Sequence, residues 1–113
     1  MEEGGGVHSK RVRELIPELA TELTRLLQAE GHFSLADQVS TIEIVERCRC
    51  GDDFCATFYT APPPRGAWGL GHETIALDPD EGYLNVDVLN GKIVSIEVLY
   101  RDEVRDFLRS LLP

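Results

Sequence analysis

The sequence predicts an α+β domain of two layers, in which an N-terminal and a C-terminal helix pack on a mostly antiparallel sheet of about five strands. Apolar residues recur at three- and four-residue steps at both ends of the chain, whereas the middle alternates apolar and polar residues between clusters of Gly, Asp, Asn and Pro. Burying one sheet face under both helices is the simplest arrangement for this order of elements. We therefore predict a single domain over residues 1–113, with 1–8 as a disordered lead-in.

The first predicted helix has apolar positions at helical steps from Val12 to Leu27, and Gly31 is its expected stop. Pro17 falls inside this segment and has no amide hydrogen to donate, so a continuous helix with a bend is predicted. Ser34 is a typical capping residue and predicts a short helical turn after it.

Five strands are predicted next, because five segments are rich in β-branched and aromatic residues: 41–50, 54–60, 73–77, 83–88 and 92–99. The last two form a hairpin. A two-residue turn would pair Val86 with Ser95, whereas a three-residue loop over 89–91 pairs Val86 with Val94. Val86 and Val94 belong to the alternating apolar sets of the two strands, so the three-residue loop is predicted, with Gly91 left-handed.

The end of the chain supplies the closing helix and one resemblance. Helical spacing returns after Arg101 and predicts a helix that lies on the sheet. Before it, the segment Asn90–Leu99 resembles the closing hairpin of a group of small uncharacterised bacterial domains, whose last strand follows G-x-[IV]-x-x-[IV]-E-[IV]-L. The hairpin region over 78–99, in which this segment lies, is about a fifth of the chain. The resemblance implies a strand pairing and a bacterial origin, and no function.

The charge balance excludes some classes of partner. The chain has 20 acidic and 11 basic residues, for a net charge of -9, which repels phosphate backbones and anionic membranes. Nucleic acid and membrane partners are therefore not expected. The sequence has no apolar run of membrane-spanning length and no signal-peptide pattern at its start, so a cytoplasmic protein is expected. Three cysteines are too few for a secreted disulfide framework, and free thiols are predicted.

The cysteines Cys48, Cys50 and Cys55 form the pattern C-x-C-x4-C, which is one candidate zinc site, with His72 or His32 as a fourth ligand. Structural zinc usually takes its ligands from two closely spaced pairs, and there is no second pair here. Zinc is therefore kept as the alternative to a protein without a cofactor.

The length of one turn decides how these cysteines are placed. A three-residue loop over 51–53 puts Cys48 and Cys50 in the core and sends Cys55 to the opposite face with two arginines, Arg47 and Arg49. A loop of two or four residues instead sets Cys50 opposite Cys55 and gathers all three thiols on one face, where a metal or a disulfide could form. Ile42 and Ile44 lie on the same predicted strand face as Cys48 and Cys50, which favours the core placement.

A long connection of prolines and glycines over 61–72 carries the only Trp of the chain. Arg65, Trp68 and His72 in this loop are of the types that dominate binding hot spots, so they are the predicted contact residues. The alternative is that Trp68 caps an open end of the core.

Three functional hypotheses follow, in this order. The first is an acidic protein-interaction module, such as an immunity or antitoxin-like partner of a basic protein, supported by the net charge, the contact loop and four acidic strand positions: Glu43, Glu46, Asp87 and Glu97. The second is a small zinc-binding domain. The third is a thiol-dependent enzyme using Cys55, which ranks last because no base is placed near it. A free sheet face or edge strand also permits a homodimer.

Overall fold

The computed structural model describes residues 9–113, so the predicted lead-in 1–8 lies outside the described residues. The elements are α1 (Val12–Leu15), α2 (Pro17–Ala29), α3 (Phe33–Gln38), β1 (Glu46–Arg47), β2 (Phe58–Tyr59), β3 (His72–Ala76), β4 (Tyr83–Leu89), β5 (Lys92–Leu99) and α4 (Asp102–Leu111). The strands form one antiparallel sheet in the order β1-β2-β5-β4-β3. This confirms the predicted α+β class, with a five-stranded sheet between terminal helices.

The N-terminal helix is broken at Pro17, so the prediction of a continuous bent helix is wrong. Ile16 leaves the helical conformation with φ -135° and ψ 70°, and Pro17 is the first residue of α2. At that position the missing N–H has no helical partner to lose, whereas inside a helix the ring would clash with a preceding carbonyl. The predicted stop is confirmed, since Gly31 has φ 81° and the following His32 N–H donates to Leu27 O over 2.8 Å.

Two local predictions before the sheet are also wrong. Helix α3 begins at Phe33 and has no side-chain cap bond, so Ser34 is inside the helix rather than its cap. The first predicted strand shrinks to β1, because the segment before β1 bonds to the chain that precedes α1. Ile44 N–H donates to Lys10 O over 2.8 Å there. The backbone donor of Ile44 is thus satisfied away from the sheet, and only from Val45 on does the segment bond to β2.

The β4–β5 hairpin turns on two residues, Asn90 and Gly91, whose φ angles are 52° and 82°. The left-handed Gly91 is confirmed, but the predicted three-residue loop that pairs Val86 with Val94 is wrong. A β-bulge at Val94 shifts the register beyond the turn, so Val86 lies opposite Ile96. Because Val94 is an extra residue in β5, the two-residue turn still leaves the apolar residues of both strands on the core side of the sheet.

The core lies between the helices and one face of the sheet. Its fully or almost fully buried members from both layers include Leu19, Leu23, Leu27, Phe58, Leu84, Val86, Ile96, Val98, Val104 and Leu108. The alternate residues of β4 and β5 point away from this core, because successive side chains of a strand face opposite ways. We call this second side, which carries Asn85, Asp87, Ser95 and Glu97, the open face. It is the side on which the candidate site lies.

Substituting Gly82 with alanine is expected to destabilise the fold more than the same change at Gly69. Both glycines have positive φ, 68° and 93°, which costs an alanine about 1 kcal/mol. At Gly82 a Cβ would also lie 2.5 Å from the backbone oxygen of Leu99, whereas at Gly69 nothing lies within 4 Å. We expect an additional loss of about 1–3 kcal/mol for Gly82→Ala. Urea denaturation measures both values, and equal losses would contradict the steric argument.

Candidate metal centre

The thiols are positioned by the turn between β1 and β2. Continuing the β1–β2 register places Cys50 opposite Cys55, across the four residues 51–54. Gly51 opens this turn with φ 83°, and the N–H of Cys55 closes it by donating to Asp52 O over 3.2 Å. The turn is therefore one residue longer than the predicted three-residue loop, and it moves Cys48 and Cys50 out of their predicted place in the core.

All three thiols lie together on the open face. The Sγ atoms of Cys48, Cys50 and Cys55 are within 4.8 Å of one another. Cys48 and Cys55 are half-buried and Cys50 is exposed, and all three are free, as predicted. The prediction that Cys48 and Cys50 are core residues with Cys55 on the other face is wrong, because the longer turn puts the three side chains on the same side.

The thiols differ in acidity. Burial opposes ionisation of Cys55, but hydrogen bonds from the backbone and side chain of Thr57 and from the two neighbouring thiols outweigh it and lower its pKa. For Cys50, a hydrogen bond from the backbone of Asp52 favours the thiolate, yet burial and the contacts with Cys48 and Cys55 raise its pKa to about 11. The cluster thus favours one thiolate, on Cys55, stabilised by two thiol donors.

Arginine does not supply this effect. Arg47 and Arg49 alternate with the cysteines along the chain, so they project to the other side of the turn. Arg47 donates through Nε to Leu112 O, and Arg49 donates through Nη1 to Pro113 O over 2.9 Å. The predicted placement of these arginines on the face of Cys55 is therefore wrong, and their role is to hold the end of the chain beside the turn.

The thiols form one end of a concavity on the open face, which we call the basin. It has a volume of about 420 Å³. Its walls include three aromatic residues, Phe54, Tyr59 and Trp68, and three acids, Asp52, Asp87 and Glu97. Two of these acids, Asp87 and Glu97, were predicted from their strand positions to make this face acidic. The basin therefore combines soft metal ligands, aromatic surface and negative charge.

Asp87 is the centre of a hydrogen-bond network on the open face. Its Oδ2 accepts from the buried Ser95 hydroxyl over 2.6 Å and its Oδ1 from Thr74 over 2.8 Å, while His72 Nε2 lies 2.9 Å from Oδ1. Ser95 thus donates to the acid rather than to the histidine, so the histidine does not activate this serine as a nucleophile. The network holds a carboxylate in place beside the thiols.

The Asp87→Asn variant is expected to lose less folding stability than the wild type when the pH is lowered. Partial burial opposes ionisation of Asp87, but the bonds from Ser95, His72 and Thr74 outweigh it and hold its pKa below the ordinary 3.8. A depressed folded-state pKa contributes stability above the unfolded value, and this stability is lost as pH falls through the folded value. Denaturation between neutral pH and pH below 4 measures it, with the exposed Asp80→Asn as control. Parallel curves for wild type and Asp87→Asn would contradict the assignment.

Of the predicted contact residues, Trp68 lines the basin and His72 bonds to Asp87 on the open face. Arg65 is exposed, Trp68 is half-buried against Tyr59 with ring centroids 6.4 Å apart, and His72 belongs to β3. Trp68 thus covers part of the basin rather than an end of the core. Tyr59 was not singled out from the sequence, although its alternation with the buried Phe58 places it on the open face.

The fourth zinc ligand proposed from the sequence is not His72 or His32. Within residues 9–113, no His, Asp or Glu joins the three thiols as a further ligand. His72 is engaged with Asp87, and His32 precedes α3 in the helical layer. The site that the described residues form is a cluster of three thiols.

Comparison with known proteins adds no family to this description. No protein-family model, curated protein or solved structure matches the chain. The helices between residues 9 and 113 include none with the length and apolarity needed to cross a membrane.

Proposed function

We propose that this chain is a small metal-binding domain in which Cys48, Cys50 and Cys55 bind a metal ion, with zinc as the first candidate. The observation that carries the proposal is the approach of the three Sγ atoms to within 4.8 Å. Around a tetrahedral zinc ion with Zn–S bonds of about 2.3 Å, the sulfurs are about 3.8 Å apart. The upper limit of the observed separations exceeds that value by about 1 Å, a difference that side-chain rotations would have to close on binding.

The electrostatics of the cluster support the same function. Thiolate, and not thiol, is the metal ligand, so the three thiols release their protons when the ion binds. The lowered pKa of Cys55 makes it the natural first ligand. The pKa of about 11 for Cys50 arises from partial desolvation and from its thiol neighbours, and a divalent cation would offset both effects. Zinc affinity should therefore rise with pH.

The interaction module remains the second candidate, supported by Asp87, Glu97 and the half-buried Trp68 around one concavity. A thiol-dependent enzyme has less support, because no His, Asp or Glu of residues 9–113 joins the thiols to act as their base. Metal binding is preferred because it uses all three cysteines at once.

Native mass spectrometry of the purified protein tests the proposal, with one zinc ion per chain as the expected result. A chelator competition then gives the affinity, and calorimetry in two buffers of different ionisation enthalpy gives the proton release, expected to be about three per ion at low pH. A chain that binds no zinc in the mass spectrum and shows no change of melting temperature with zinc or chelator would overturn the proposal.

A further inference from the structure

We infer that the ion held by the three thiols takes its fourth ligand from a histidine of a basic protein segment that docks in the basin. This inference rests on the proposed metal binding and adds the chemistry of the partner. It follows from three features of the open face, which are the incomplete ligand set, the charge of the basin and its aromatic wall.

Within residues 9–113 the ligand set is incomplete, and its open position faces outward. Zinc bound by protein is almost always four-coordinate, and a site with three protein ligands keeps one position for an external group. Residues 9–113 supply three thiols and no further His, Asp or Glu. Cys50 is exposed and the basin opens beside it, so an external side chain can approach the ion from solvent.

The charge of the basin selects imidazole over thiolate. Three thiolates and one divalent ion leave a net charge of about -1, and the basin adds the carboxylates of Asp87 and Glu97. A fourth thiolate would bring another negative charge into this group, whereas a neutral imidazole adds none. Histidine is also among the commonest ligands in zinc sites that contain cysteine.

The same charges favour a basic segment around that histidine. Asp87 stays ionised because its pKa is lowered, Glu97 is half-buried at the basin wall, and the whole chain carries a net charge of -9. Lysine or arginine next to the histidine would meet this negative wall. Tyr59 and Trp68 line the other side, where aromatic faces attract cations.

Cobalt-substituted protein tests the inference, because the visible bands of Co²⁺ report both thiolate ligation and a change of the fourth ligand. The probe is acetyl-Lys-His-Lys-amide. We expect it to shift the cobalt bands in a saturable way and to bind about tenfold more tightly than acetyl-Glu-His-Glu-amide at low salt. The difference should shrink with salt, and acetyl-Lys-Ala-Lys-amide should leave the bands unchanged.

Variants and further probes separate the outcomes. Glu97→Gln, a conservative change on the sheet surface, should reduce the preference for the basic peptide severalfold, whereas the distant exposed Glu30→Gln should not. Failure of cobalt to bind would overturn the proposed function itself. Cobalt binding with no response to the histidine peptide, tighter binding of acetyl-Lys-Cys-Lys-amide, or a metal-dependent dimer that already shows the final spectrum would overturn the inference and leave metal binding intact.

Discussion

Replacing Cys55 with serine is expected to lower zinc affinity on the order of 100-fold or more. Apparent binding free energies of structural zinc in small peptides are about 10–16 kcal/mol, so one ligand of four contributes roughly 3 kcal/mol. Cys55 is the member of the cluster with the lowered pKa, and it lies opposite Cys50 across the turn. Serine keeps the size of the side chain and removes the soft donor. Chelator competition measures the difference directly.

The same substitution should remove the thermal stabilisation by zinc. At free zinc 100 times the dissociation constant, binding stabilises the native wild-type chain by about 2.7 kcal/mol, or roughly 10 °C for a domain of this size. At that zinc concentration a 100-fold weaker variant gains only about 0.4 kcal/mol. Asp53→Asn is the matched control, since Asp53 is exposed in the same turn and is not a member of the thiol cluster. Equal shifts for wild type and Cys55→Ser would show that zinc binds elsewhere.

The sequence predicted the types of residue in the site but not their arrangement. The three cysteines and the two acids Asp87 and Glu97 are visible in the sequence, and alternation along strands places the acids on one face. The arrangement of the thiols depends on whether the turn after Cys50 has three or four residues, and one residue moves Cys48 and Cys50 to the face of Cys55. The conformation of Gly51 and the bond from Cys55 to Asp52 decide this, and periodicity does not contain that information.

The type and order of the secondary-structure elements were easier to predict than the arrangement of the thiols. Helical and alternating patterns extend over many residues, so they predict the type and order of elements even when single positions disagree. The wrong predictions concern positions where two local conformations compete. Pro17 starts a new helix instead of bending one, and Val94 forms a bulge so that a tight turn at Asn90 can keep Val86 on the core face. Such choices depend on tertiary contacts that no local pattern records.

Replacing Arg101 with methionine is expected to cost about 3–5 kcal/mol, roughly 12–20 °C in melting temperature. The guanidinium donates to both carboxylate oxygens of Glu22 over 3.0 and 2.7 Å, and its Nε donates to Glu81 O over 2.9 Å. The side chains of this pair are only 9% and 19% exposed. Arg101 thus joins α2, the loop before β4 and the start of α4. Removing it leaves the carboxylate of Glu22 poorly solvated and without its charge partner. Thermal and urea denaturation measure the loss.

The double variant Arg101→Met/Glu22→Leu distinguishes an unpaired charge from lost packing. Replacing both members of a buried ion pair with apolar residues is often close to neutral, so the double variant should be more stable than Arg101→Met alone. Arg105→Met on the same helix, whose acidic partners Asp102 and Asp106 are exposed, should have a much smaller effect. If the double variant is as unstable as Arg101→Met, then packing of the arginine stem and its bond to Glu81 hold this junction together, and the ion pair does not.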